Sequence, residues 1–322
     1  MRSISSKLLC VVTASIIFAP KVFGQIDPNL NQYQPSGAVS GLVKTVGSDT
    51  MNNLMALWGE SFKTFYPNVQ IEIEGKGSST APPALKEGQS TFGPMSRPMK
   101  KSEIDSFESS FGYKPVGVRS AIDMLAVYVH KDNPIAEKGL TLEQIDSIFS
   151  KSRNFGGEPI QTWGDLGLTG EWAKAPISLY GRNSASGTYG YFKSVALKKG
   201  DYLDTVKEQP GSSAVIQGVA RDKFAIGYSG IGYKTADVKM VPVSPKSGEA
   251  YVKPSRSNAS KYPISRFLLV YVNKSPKRQL PPLQAEFLRF MLSKQGQDSV
   301  VKDGFISVPA SVAEADLRSL GL

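Results

Sequence analysis

The chain has 322 residues, with 38 Lys and Arg against 28 Asp and Glu, one His and one Cys, for a formal charge of +10. Its 40% hydrophobic and 10% aromatic content excludes disorder. A lone Cys and a lone His exclude a disulfide scaffold, a Cys/His zinc module and a Cys–His nucleophile; the length fits about two domains.

Residues 1–24 read as a cleavable export signal. Arg2 and Lys7 start it, Leu8 to Ala19 is apolar, Pro20 breaks the helix, and Val22-Phe23-Gly24 precedes Gln25. The apolar run is shorter than the ~20 residues a membrane span needs. Removal takes Cys10, Arg2, Lys7 and Lys21, lowering the charge by three to +7. The expected product is exported, soluble and free of cysteine. Residues 25–40 form a polar tail rich in Pro and Gly.

From Gly41 the pattern turns regular. Gly41 to Gly47 reads as a strand, and Asn53 to Tyr66 as a helix with Leu54, Leu57, Trp58, Phe62 and Phe65 on one face. Val69 to Gly75 alternates as a strand, followed by a helix at Pro82 to Glu87, a short strand at Phe92 to Met95 and a helix at Ser102 to Phe111. Two strands follow, Val116 to Arg119 and Asp123 to His130, the last residue being a strand end. Thr141 and Gln144 form a capping box over a helix at Leu142 to Phe149. After a connector rich in Gly and Trp, Ile177 to Tyr180 is a strand and Tyr189 to Lys198 a helix. Ser213 to Ala220 is a helix, Phe224 to Tyr228 a strand, Phe267 to Val272 a strand and Pro282 to Lys294 a helix. This alternation points to an α/β fold with largely parallel pairing.

Three loops share one design: Val46 to Thr50, Gly75 to Thr80, and Arg182 to Thr188. Each places Gly and small hydroxyl residues where a helix begins, and there unpaired N–H groups and the helix dipole favour an anion. Arg182 adds a forked, permanently charged donor suited to a tetrahedral oxyanion. Helix capping alone accounts for any one such loop; three together, one with Arg, favour anion binding. None is a nucleotide fingerprint.

In order and spacing these motifs resemble the PstS family, the periplasmic phosphate-binding proteins of phosphate ABC transporters. Val46 to Thr50 resembles the first phosphate loop. Gly75 to Thr80 with Phe92-Gly93-Pro94-Met95-Ser96-Arg97-Pro98-Met99 resembles the second loop and the strand end after it. Arg182 to Thr188 resembles the Arg and Ser-Gly-Thr loop, and Ala225-Ile226-Gly227-Tyr228 the closing strand. The likeness runs from about Gly41 to Val243, more weakly to Leu322. It implies a type II periplasmic-binding-protein fold, two α/β lobes of mixed sheet flanked by helices, joined by crossing strands, with the ligand in the cleft. Lobe 1 would hold residues 41–120 plus 244–322, and lobe 2 residues 121–243. By the same likeness the phosphate ligands are Thr50, the Met51 backbone, Ser78, Arg182, Ser186, Gly187 and Thr188.

The sequence departs from the family at two of its acids, at the positions of Ser96 and Ser184. The first family acid accepts the proton of hydrogen phosphate and so rejects sulfate; Ser96 and Ser184 are carried as the candidates there. Asp49 is the candidate replacement acceptor, or else a helix cap. Arg97 either adds charge beside Ser96 or is an ion-pair residue. The implied partners are inorganic phosphate and the membrane permease of a phosphate ABC transporter, with a monomeric protein.

The residues supply no Gly-x-Ser-x-Gly elbow, nucleophile–base pair or metal set, so no catalytic residue, metal or cofactor is assigned. The spread of Lys and Arg, with no basic run or aromatic–basic motif, argues against nucleic acid. A binder of another oxyanion, a secreted phosphate-handling hydrolase and a surface adhesion protein on the same fold are the alternatives.

Overall fold

The structure is a computed structural model that describes residues 26–322. Residues 1–24, read from the sequence as an export signal with Cys10, lie outside the described residues.

Strand β1 (Gly41–Val46) runs parallel to β2 (Val69–Glu74), with Gly41 opposite Val69. A 3-10 turn at Asp49–Met51 leads from β1 into α1 (Asn52–Lys63). Leu54, Met55, Trp58 and Phe62 recur at helical spacing along α1 and are wholly buried. Each such side chain contributes roughly 1.5–3 kcal/mol of burial. A second 3-10 turn at Ser78–Thr80 precedes α2 (Ala81–Lys86), then come β3 (Gly93–Met95) and α3 (Lys101–Phe111).

Where the sequence suggests two strands, the chain forms one, β4 (Val116–His130). The expected gap at residues 120–122 is strand throughout, and Ser120 is the extra residue of a bulge: Arg119 faces Leu269 and Ala121 faces Leu268. Ser120 Oγ donates to Leu268 O at 2.9 Å, and its carbonyl accepts from Gln297 Nε2 at 3.0 Å, so its polar groups are paired.

Beyond β4 come α4 (Ile135–Lys138), β5 (Leu140–Thr141) and α5 (Leu142–Phe149), the last capped by the reciprocal Thr141–Gln144 bonds. Then follow β6 (Ser178–Arg182), α6 (Gly187–Val195), β7 (Lys207–Gln209), α7 (Ser212–Arg221), β8 (Ala225–Gly230), β9 (Val238–Val241) and β10 (Val243–Ser244). The chain returns through β11 (Ser265–Val272) and ends in α8 (Pro282–Met291), α9 (Lys294–Lys302) and α10 (Ala310–Leu320).

The main sheet runs β3-β11-β4-β8-β6-β7, with β9 also on β4. Pairing is mixed rather than largely parallel. β4 is antiparallel to β11, β8 and β9, while β6 is parallel to β7 and β8. Helical crossovers impose parallel pairing only inside each lobe; β4 and β11 link the lobes directly and meet antiparallel.

Two apolar cores flank this link. One gathers Val43, Trp58, Phe62, Phe92, Val118, Leu268, Phe287 and Phe290. The other gathers Leu125, Val127, Phe149, Trp163, Phe192, Tyr228 and Ile264. Tyr262 and Ile264 lie in the second core, so the chain rejoins the first core at β11 and not at residue 244. Residues 26–40 are more than a tail: Leu30 and Tyr33 are buried in the first core. Glu286 of α8 fastens them, accepting from Tyr33 Oη at 2.5 Å, Tyr66 Oη at 2.9 Å and Ser36 Oγ. Burial pushes the Glu286 carboxyl up, but these bonds outweigh it and hold it at about 2.

Candidate functional site

The three loops that the sequence singles out meet between the two cores. From the first lobe come Ser48 and Thr50 after β1, Ser78 after β2, and Ser96 after β3. From the second come Thr188 at the start of α6 and Ser212 at the start of α7. All six are buried. Thr50 Oγ1 lies 2.9 Å from Thr188 Oγ1 and 3.3 Å from Ser212 Oγ. Ser96 Oγ lies 3.0 Å from Ser48 Oγ, 3.3 Å from Ser78 Oγ and 3.5 Å from Thr188 Oγ1. The lobes are therefore closed on one another, and Ser79 N–H adds a backbone bond to Ala185 O at 3.1 Å.

Glycine makes the closeness possible. A Cβ on Gly187 would sit 2.6 Å from Ser96 Oγ and closer still to Ser78 Oγ. Gly77, at φ +117°, would bring a Cβ to 2.5 Å from Ala185 O.

Arg182 ends β6 with only 2% of its surface exposed. Its Nη1 donates to Ser212 Oγ at 2.8 Å, Nη2 to Pro210 O at 3.0 Å and Nε to Gln209 O at 3.3 Å. Burial pushes its pKa down and the Asp49 carboxylate opposes this; a guanidinium starts so high that it stays charged. Asp49 does not cap its own helix. It reaches across the cleft, with Oδ2 3.2 Å from Arg182 Nη1 and accepting Ser212 N–H at 3.0 Å.

Hydroxyls have one proton and two lone pairs, so an N–H donated to a hydroxyl leaves its proton free to point elsewhere. Arg182 donates to Ser212 and Ser96 N–H donates to Ser78 Oγ at 3.0 Å. The cluster is thereby biased into O–H donors, the arrangement an oxyanion needs.

Of the ten residues proposed from sequence, Asp49, Thr50, Ser78, Ser96, Arg182, Gly187 and Thr188 come together here. Ser186 stands beside them as the α6 N-cap, accepting from Thr188 N–H at 3.1 Å. Met51 lies deeper: its side chain is in the first core, and its N–H donates to Ser48 O at 3.1 Å. Ser184 is exposed and is not brought to the cluster, because the turn after Arg182 directs it outward. Arg97 is an ion-pair residue, donating to both Glu103 oxygens at 2.7 and 2.8 Å.

Sequence reasoning missed Ser48, Ser212, Arg266 and Asp123. Arg266 and Asp123 form a buried pair, Nη2 to Oδ2 2.8 Å, and Arg266 Nη2 also donates to Thr188 Oγ1 at 3.0 Å. Their signal was a charge inside an apolar strand, Asp123 in Ala-Ile-Asp-Met-Leu and Arg266 before Phe-Leu-Leu-Val, which demands a buried partner. Ser212 opens a helix after Pro-Gly, as the other hydroxyls open theirs.

A large open concavity of about 1010 Å³, lined by Lys44, Phe111, Tyr113, Lys274 and Arg278, shares none of these groups. Among the described residues there is no cluster of three or more His, Cys, Asp or Glu able to hold a metal, and no helix long and apolar enough to cross a membrane.

The profile of the family described as PBP superfamily domain matches residues 33–295. A phosphate-binding protein PstS from Pseudomonas aeruginosa is 54% identical over 98% of this chain and 99% of its own. One from Bacillus subtilis is 28% identical over 84% of this chain and 81% of its own. Among solved structures, one from Clostridium perfringens superposes with a TM-score of 0.69 and 28% identity, covering 83% of this chain and all of its own. That structure, of a candidate substrate-binding protein of a phosphate ABC transporter, holds bound phosphate.

Proposed function

The chain belongs to the PBP superfamily and, within it, to the phosphate-binding proteins named PstS, and from that membership we propose that its interlobe cluster captures inorganic phosphate for uptake by an ABC transporter. The observation that carries the reading is the donor array: buried hydroxyls from both lobes converge on one another beside a buried Arg182. An anion taken here replaces hydroxyl–hydroxyl contacts with charge-assisted bonds, which are roughly twice as strong as neutral ones.

We assign Thr50, Ser78, Ser96, Arg182, Gly187 and Thr188 as the phosphate-facing set, with Ser212 added and Asp49 and Ser186 supporting. Met51 and Ser184 drop out of direct contact. Lobe 1 comprises residues 26–121 with 265–322, and lobe 2 the stretch between. The protein works as a periplasmic carrier, binding without turnover and docking on a membrane permease.

Calorimetric titration of phosphate-stripped protein with phosphate, arsenate and sulfate tests this directly. One phosphate per chain is expected, and Arg182→Ala should weaken binding at least a hundredfold by removing a buried charged donor. An unchanged affinity in that variant would remove the cluster from consideration as the site.

A further inference from the structure

Arg266 stands where the two lobes are joined, directly opposite Asp123 in the register of β11 against β4. Both side chains are sealed from solvent, at 1% and 0% exposure. Arg266 Nε and Nη2 donate to Asp123 Oδ2 at 3.0 and 2.8 Å, while Asp123 Oδ1 accepts Ile231 N–H at 3.0 Å. Gly230 makes room for this carboxylate, since a Cβ there would lie 3.0 Å from Asp123 Oδ1.

A guanidinium that served only to neutralise Asp123 would end its bonding there. Arg266 goes further in two directions. Nη1 donates to Ser96 O at 2.7 Å, on the first lobe's loop. Nη2 donates to Thr188 Oγ1 at 3.0 Å, at the start of α6 in the second lobe. Its planar fork spans both at once, which a lysine ammonium on a flexible stem does not do. Accepting from Arg266 turns the Thr188 proton away from the guanidinium and leaves it available to the centre of the cluster, where Thr50 Oγ1 lies 2.9 Å away.

We propose that Arg266 is a positioning residue of the anion site, one that holds Thr188 as a proton donor to the bound oxyanion and ties the Ser96 loop to the α6 terminus when the lobes close. It rests on the phosphate reading of the cleft. With Arg182 it brings a second fixed positive charge to the site, held by a partner on the crossing strands rather than by either lobe's loops.

The test is a double-mutant cycle on phosphate affinity, by calorimetry on stripped protein. Arg266→Lys keeps a charge opposite Asp123 and is expected to weaken phosphate about tenfold to a hundredfold, as is Thr188→Val. The double variant should be no more than about threefold weaker than the worse single, because Arg266 acts through that hydroxyl. Asp123→Asn frees the guanidinium without removing it and should show the same coupling to Thr188→Val, so the cycle survives if Arg266→Lys folds poorly. Losses that multiply in the double variants, or wild-type affinity in Arg266→Lys, overturn the proposal while the phosphate reading stands. A wild-type protein that takes up no phosphate overturns both.

Discussion

Asp49 pairs its carboxylate with Arg182, so its charge bears on which anion the cleft takes. In the sequence it is an acid at a helix start, readable as a cap or as an acceptor for the ligand. In the fold its Oδ2 engages Arg182 and Ser212 N–H across the cleft. Hydrogen phosphate carries a proton that sulfate lacks, so a nearby carboxylate favours phosphate by accepting that proton and disfavours sulfate by repulsion. Asp49→Asn is therefore expected to cut the phosphate-over-sulfate affinity ratio about tenfold, measured by paired titrations. An unchanged ratio would reduce Asp49 to a tether between lobes. Arg182 was legible because its hydroxyl neighbours follow it immediately. Arg266 was not, since its target Thr188 is 78 residues away and nothing local marks their meeting.

At the scale of elements, the start of α6 carries the closest approach between lobes. Alanine at Gly187 suits a helix but brings its methyl against Ser78 and Ser96 Oγ. Overpacking of this kind costs about 1–3 kcal/mol. Since it acts where the lobes meet, Gly187→Ala should weaken phosphate roughly tenfold to a hundredfold in the same calorimetric titration. Equal affinity would mean that the loop yields without cost. The elements legible in sequence were those with strong local grammar: the Thr141–Gln144 box, and the Leu54, Trp58 and Phe62 face of α1. α9 was hidden because Lys294–Lys302 is largely polar and owes its place to tertiary contacts, such as the Trp58 Nε1 bond to Gly296 O at 2.7 Å. The bulge at Ser120 was hidden because a polar residue in an apolar run looks like a break.

Across the whole molecule, one carboxyl makes stability depend on pH in an unusual direction. Asp303, at the C-terminal end of α9, is pushed from 3.8 to about 6 by burial, opposed by the Asn53 hydrogen bond and reinforced by Asp123. The folded state thus holds a proton that the unfolded chain has released between these values. Its contribution to stability is present at the acid end and is lost as pH rises through about 6. Asp303→Asn should accordingly stabilise the protein by on the order of 1–3 kcal/mol at neutral pH, with the gain fading toward pH ~4, as followed by urea melts at several pH values. A gain constant with pH would show that this carboxyl does not titrate. The broad architecture was readable from strand–helix alternation and the three loops, but that alternation alone pointed to largely parallel pairing; the mixed sheet followed only from the family resemblance, because it arises where β4 and β11 cross between lobes. That crossing also dictates an order of assembly. The first core draws on residues from Leu30 to Ala121 and again from Leu268 to Leu320, whereas the second is built from one continuous stretch, Met124 to Ile264. On a chain delivered from its N-terminus, the middle can condense alone while the opening segment waits for the last helices. The final residues to arrive are thus the ones that commit the beginning of the chain to its native state.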